Sequence, residues 1–284
     1  MTTREQNKRH RWIWVPWALL GLLVVRELYD PYLLLLLSDL VLSKPVPLTM
    51  EVEGSPFALA LYTDARPHIG KIAALQKGLV LMRDGQPLIE EGYGFGLPLV
   101  AYGDLVHNSR LAEVEQVDVR TLVKRYRMDV ADRWSRFLRI KYKDVEPLGS
   151  VVVTYTLTAP TVVQVDVDFT GLTVDWHTAY LMNEQGAHAF PIYEDSTGLR
   201  RHGDEIGIWH PDDDPFGCWL AEGEDLRFCV ETEAGRARYV GRERYIQVNW
   251  VRLYWLSWSG IDVEVDAPLD HYRYTVHIEV LDAP

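Results

Sequence analysis

Residues 12–42 read WIWVPWALLGLLVVRELYDPYLLLLLSDLVL, an apolar run that must leave water for a bilayer or for protein. A basic cluster, Lys8, Arg9, His10 and Arg11, precedes it. A basic flank ahead of an apolar run keeps the N-terminus in the cytoplasm. Trp12, Trp14 and Trp17 stand where an interfacial aromatic belt would lie. A helix over residues 12–28 would cover roughly 25 Å, slightly short of the hydrocarbon core. Arg26 and Glu27 fall near its far end, where long side chains snorkel to water, and Tyr29-Asp30-Pro31 should break it. Residues 32–42 are too few to span alone. They could lie in the outer interface, pack on the soluble body, or complete a hairpin. A cleaved signal peptide and a buried helical hairpin of a soluble protein are the alternatives to an anchor. No small-x-small cleavage site follows Val25, where Arg-Glu-Leu-Tyr stands instead. The sequence thus predicts a cytoplasmic flank (1–11), a retained single-pass anchor in the lipid bilayer (12–44), and an extracytoplasmic body (45–284).

The composition shifts at Ser43-Lys44-Pro45, and about 240 residues follow. That length suits one large core or two small domains. No linker or repeat divides it, so one unit is expected. The net charge of -12 argues against a nucleic-acid partner. Cys218 and Cys229 are the two cysteines, and no CxxC or Cys/His zinc spacing exists. No metal site and no cofactor is predicted, and an exported body permits a disulfide.

No sustained 3.6-residue period appears after residue 45. Short β-branched and aromatic runs alternate with turn residues, which reads as all-β. Residues 78–83 and 86–91 flank Asp84-Gly85 as a hairpin, with Asp-Gly supplying the positive-φ turn. Residues 150–157 and 162–169 flank Thr-Ala-Pro-Thr. Pairing Tyr155 with Val165 and Val153 with Val167 sets apolar on apolar, with Thr154 beside Asp166 and Thr156 beside Gln164. A further hairpin is expected from residues 227–233 and 236–240 around Ala234-Gly235, with Glu233 opposite Arg236 and Glu231 opposite Arg238. The turn near Glu222-Gly223-Glu224-Asp225 sets Cys218 facing Cys229. A four-residue loop makes them a non-hydrogen-bonded pair that suits a disulfide, and a two-residue loop does not. Residues 245–258 and 272–281 read as long strands. In the first, Trp250, Tyr254 and Trp258 line one face and Val251, Leu253 and Trp255 the other, so a central position is expected. So many antiparallel strands in one body imply a large β-sandwich.

Two segments, GKIAALQKGLVLMRDGQPLIEEGYGFG (70–96) and GSVVVTYTLTAPTVVQVDVDFTGL (149–172), resemble the opening and the mid-domain hairpin of galactose-mutarotase-like supersandwich domains. The resemblance covers about a fifth of the chain and rests on strand patterns. That fold occurs in sugar epimerases and as a domain of polysaccharide lyases and glycosidases. Such epimerases use a His and a Glu. No His or Glu here matches a family motif, so no role is carried over.

Residues 90–98 place glycines at every second position, which bares one strand face to another backbone or to a flat ligand. No Lys-Ser/Thr follows, so a phosphate loop is not expected. Asp175, Trp176, His177, Asn183, Glu184, His188, Glu194, Asp195, His202 and Asp204 crowd one region. It offers titratable groups for acid–base chemistry, and Trp176 and Tyr180 for stacking on a sugar. The alternative is a solvated polar loop region. Asp212, Asp213 and Asp214 form a Pro-bracketed acidic turn without calcium-loop spacing. Arg236, Arg238, Arg242 and Arg244 share parity, and ion pairing with Glu231 and Glu233 is expected to engage two of them. The leading expectation is an anchored β-sandwich that binds or processes envelope carbohydrate. His177, His188, Glu184 and Glu91 would be its acid–base groups, and Trp176, Tyr180, Tyr93, Phe95 and Asp175 its ligand contacts. The alternative is a non-catalytic envelope domain that docks a protein partner.

Overall fold

A computed structural model describes residues 17, 21, 48–51, 57–62, 77–89, 93–132, 143–202, 207–209, 216–223, 225–233, 236–249 and 252–281. The chain divides into two compact units, Met1–Lys44 and Pro45–Pro284. The anchor helix expected at 12–28 and the segment 32–42 lie outside the described residues, apart from Trp17 and Gly21, which are helical. Among the described residues no helix is long and apolar enough to cross a membrane.

The second unit is built of antiparallel strands. In chain order these are β1 (Leu48–Glu51), β2 (Phe57–Leu61), β3 (Val80–Arg83), β4 (Gln86–Pro87), β5 (Gly94–Tyr102), β6 (Leu105–Asp118), β7 (Thr121–Asp132), β8 (Lys143–Asp144), β9 (Ser150–Ala159) and β10 (Val162–Asp168). There follow β11 (Thr178–Gln185), β12 (Ile192–Asp195), β13 (Arg200–His202), β14 (Gly207–Trp209), β15 (Phe216–Leu220), β16 (Leu226–Glu231), β17 (Ala237–Asn249), β18 (Arg252–Asp266) and β19 (His271–Val280). The first four form one sheet, in the order β1-β2-β3-β4. The rest form a 15-stranded sheet, β13-β12-β15-β16-β19-β10-β9-β7-β6-β5-β11-β18-β17-β14, with β8 paired to β7.

The large sheet folds across itself. In a flat sheet β19 and β11 would lie about 29 Å apart, six strand spacings. Yet Tyr274 on β19 donates its hydroxyl to Asn183 on β11 at 2.7 Å. Likewise the Phe95 ring on β5 lies 5.2 Å from Phe228 on β16, and the Trp219 indole on β15 donates to the Gly260 carbonyl on β18 at 3.1 Å. The two halves therefore face each other as a sandwich, with one main core between them.

Period-2 patterning produces that core. On β9 Val151, Val153, Tyr155 and Leu157 are buried; on β10 Val163, Val165 and Val167; on β19 Tyr272, Tyr274, Val276 and Ile278. Each such side chain contributes about 1.5–3 kcal/mol on burial. The β9–β10 register is Tyr155 with Val165, Val153 with Val167, Thr154 with Asp166 and Thr156 with Gln164. One residue of slip would drive Asp166 and Gln164 into the core. The β3–β4 hairpin turns on Asp84 (φ 50) and Gly85 (φ 72), as Asp-Gly requires.

Two strand expectations are corrected. Residues 227–233 do not pair with 236–240: β16 lies between β15 and β19, and β17 pairs with β14 and β18. Pairing with β19 sets Phe228 opposite Ile278 and Val230 opposite Val276. Burying those pairs outweighs two surface ion pairs, each worth about 0–1 kcal/mol. Glu231 meets His277 instead, at 2.8 Å. The turn pair is present, with Arg236 Nε 3.8 Å from Glu233 Oε2. Residues 245–258 are not one strand either, because β17 ends at Asn249 and pairs antiparallel with β18, which begins at Arg252, the two residues lying opposite each other.

Candidate functional site

The strand start at residues 78–79 crosses β5 closely. Gly78 N donates to the Tyr93 carbonyl, and Leu79 and Phe95 exchange two hydrogen bonds, all at 2.8 Å. A Cβ on Gly78 would lie 1.9 Å from the Phe95 carbonyl oxygen. Gly94 and Gly96 both have positive φ, and a Cβ on Gly96 would meet the Tyr155 ring at 3.0 Å. Gly78 and Gly94 thus admit a close antiparallel bridge of backbone to backbone, and Gly96 leaves room for the Tyr155 and Val165 side chains. Phe95 is fully buried against Phe228 and Tyr155, so this predicted ligand contact belongs to the core.

A β-bulge between Met182 and Asn183 lets consecutive polar residues of β11 turn inward. Asn183, Glu184 and Gln185 are all buried. Asn183 Oδ1 accepts from Gly96 N at 3.1 Å and from the Tyr274 hydroxyl at 2.7 Å. Its Nδ2 donates to the Leu181 carbonyl at 3.1 Å, and its backbone N to Asp262 Oδ1 at 3.0 Å. One side chain thereby ties the two halves of the sandwich together. Burial pushes Asp262 up to about 7, against the lowering effect of the Asn183 N–H. Glu184 Oε2 accepts the Tyr93 backbone N–H at 3.1 Å. Glu184 is 2 % exposed, so it binds protein backbone and stands away from solvent.

His177 precedes β11 and His188 follows it. The eight residues between Thr178 and Gln185 span about 26 Å. The predicted acid–base set is therefore spread along a strand, not gathered: His177 at one end, Glu184 and His188 toward the other. Tyr93 and Phe95 also sit toward the Glu184 end, through the β5–β11 ladder. Tyr180, half-buried, lies along β11 itself, opposite Leu99. Glu91, Asp204 and Asp212 to Asp214 lie outside the described residues, as do the side chains of His202, Arg238, Arg242 and Arg244.

Asp175, Trp176 and His177 occupy the other end. Trp176 packs on Phe169, ring centroids 4.9 Å apart, and His177 N donates to the Ala101 carbonyl at 3.1 Å. At this same end the outer face of β9, β10 and β19 holds a cleft of about 480 Å³, lined by Thr154, Asp166, Val167, Asp168, His271, Tyr272 and Arg273. The ladders make it a grid. Thr154, Asp166 and Arg273 form one row, and Val152, Asp168 and His271 the next. Arg273 and Asp166 form an ion pair. Asp166 Oδ2 also accepts from Gln164 Nε2 at 2.6 Å. Asp168 Oδ1 accepts from Thr170 N and Oγ1 at 2.8 and 2.6 Å. His271 Nδ1 stands 3.8 Å from that carboxylate.

Asp166, Asp168, His271 and Arg273 were not singled out from the sequence. The alternating polar positions on 164–168 and 271–275 mark two outward faces. Only the pairing of β10 with β19, a hundred residues later, makes them one surface. Cys218 and Cys229 face each other on β15 and β16, bonded with an S–S length of 2.05 Å. Ala221 N donates to the Leu226 carbonyl, so the loop is the four-residue 222–225 and the cysteines form a non-hydrogen-bonded pair.

No family model matches the chain, and no curated protein does. Solved structures similar to it include a heparan sulfate lyase HepC mutant from Pedobacter heparinus. That structure has a TM-score of 0.43 and 10% identity, over 85% of this chain and 36% of that one. A 4-alpha-glucanotransferase from Thermococcus litoralis has a TM-score of 0.43 and 10% identity, over 84% of this chain and 40% of that one. A GalM/aldose epimerase homologue from C. elegans has a TM-score of 0.40 and 9% identity, over 84% of this chain and 100% of that one. The chain thus spans well under half of the lyase and the transferase. At such TM-scores these likenesses assign neither a substrate nor a residue role to this chain.

Proposed function

We propose that this protein is a membrane-anchored, extracytoplasmic β-sandwich that binds carbohydrate at the cell envelope. The binding site is the cleft on the outer face of β9, β10 and β19. The observation that carries the reading is the lining of that cleft. Carboxylates, a guanidinium, an imidazole and a hydroxyl stand in two adjacent rows over about 480 Å³. Sugars present rings of hydroxyls that both donate and accept, and planar Asp and Arg groups can meet neighbouring hydroxyls two at a time. The volume falls in the usual range for small-ligand sites, roughly 300–1,000 Å³. The basic flank before residue 12 supports the anchor and its orientation. The Cys218–Cys229 bond supports an oxidising compartment for the body.

The test is a glycan array followed by calorimetry on the full-length protein with Arg273→Ala, Asp166→Ala, Trp176→Ala and His188→Ala. Binding should fall at least tenfold (about 1.4 kcal/mol) in the first two and persist in His188→Ala. Loss confined to His188→Ala would move the site to the other end of β11. Absence of binding to any envelope glycan would favour the protein-docking reading. Protease added to spheroplasts should degrade the body if it lies outside the membrane, and loss only after permeabilisation would reverse the orientation.

A further inference from the structure

The charges around the cleft bear on which sugar it takes. Asp166 and Asp168 stand two residues apart on β10, so they share a face about 7 Å apart. Arg273 lies opposite the first and His271 opposite the second. Arg273 is joined to Asp166, whose carboxylate also holds Gln164. Among the described residues Asp168 has no guanidinium opposite it on either neighbouring strand, where His271 and Val152 stand. Its donors are the Thr170 backbone and hydroxyl, and the His271 nitrogen at 3.8 Å is beyond hydrogen-bond reach. Two carboxylates therefore face one fixed cation among the lining residues. A carboxylate or sulfate brought into the cleft finds Arg273 already neutralised and Asp168 repelling it. An uncharged sugar meets no such opposition, and its hydroxyls can donate to Asp168 and Asp166 and accept from Arg273 and Thr154. The net charge of -12 works in the same direction at longer range.

We infer, building on the carbohydrate reading above, that the cleft takes uncharged sugars and excludes uronates and sulfated sugars. The experiment uses the full-length protein in a detergent without a sugar headgroup. It is titrated with an uncharged oligosaccharide, the hexuronate oligosaccharide of the same length and a sulfated one. At low salt the uncharged ligand should bind about three- to tenfold more tightly than either acidic one, the size of one partly screened like-charge contact. Added salt should narrow that gap, and Asp168→Asn should narrow it at low salt. Acidic ligands that bind as tightly as the uncharged one overturn the inference and leave the carbohydrate reading standing. A gap that neither salt nor Asp168→Asn changes does the same. If Asp168→Asn binds nothing, the salt series on the unaltered protein decides. No binding by any of the three ligands overturns both.

Discussion

Replacing Cys218 and Cys229 together by Ala should cost this protein about 3 to 4 kcal/mol. The bond closes a loop of sequence separation 11. In the chain-entropy account a loop of about 12 residues removes roughly 9.5 cal/mol/K from the unfolded ensemble, or about 2.8 kcal/mol at 25 °C. Both cysteines are buried, beside Ile192 and Leu220 in a small cluster apart from the main core. Trimming two sulfurs there leaves a small void, worth about 1 kcal/mol more. The assay is urea unfolding followed by tryptophan fluorescence, with thermal unfolding beside it. For a body of this size the midpoint should fall by roughly 7 to 14 °C. The reduced, unsubstituted protein should unfold close to the double variant. A loss below about 1 kcal/mol would refute the argument, because loop closure could not then be the bond's main contribution.

Asn183→Ala should destabilise by about 2 to 4 kcal/mol, since it strands the buried Gly96 N–H and Tyr274 hydroxyl in one step; denaturant unfolding measures it. Asp262 titrates at about 7 in the folded protein, above its unfolded value of roughly 3.9. Its contribution is therefore fully present below about pH 4 and is lost as pH rises through 7. Asp262→Asn should flatten that slope, and a slope that persists unchanged would assign it to other groups. Gly78→Ala should prevent native folding, because its Cβ would fall 1.9 Å from the Phe95 oxygen. Gly85→Ala has open space around it and only a positive φ to strain, so a cost of about 1 kcal/mol is expected; expression yield and melting temperature of the two variants separate these cases.

Local rules made several features legible. Asp84-Gly85 dictates its turn because few residue pairs tolerate two positive φ angles. The β9–β10 register follows from period-2 patterning, since a slip of one would bury Asp166. The cysteine pairing follows from symmetry about a four-residue loop. The glycines at 94 and 96 announce a close approach, which backbone makes at Gly94 and the Tyr155 and Val165 side chains make at Gly96. The hairpin of 227–233 with 236–240 does not form, because an Ala-Gly turn and two surface charge pairs are all that favour it. Buried Phe228 and Val230 had a better partner in β19, fifty residues further on.

What the sequence determined by itself is whatever depends on neighbours along the chain: strand character, tight turns, faces, and the apolar run at 12–42. What the tertiary structure decided is which faces meet. Asp166 finds Arg273 because β10 and β19 pair, and Asn183 reaches Tyr274 because the sheet doubles back on itself. Long-range pairing is chosen by the total apolar surface that the whole sheet can bury. No short stretch of sequence holds that sum. Predicted site residues therefore shared a stretch of chain but not a place: His177 and His188 flank opposite ends of β11, while Asp168 and His271 became neighbours.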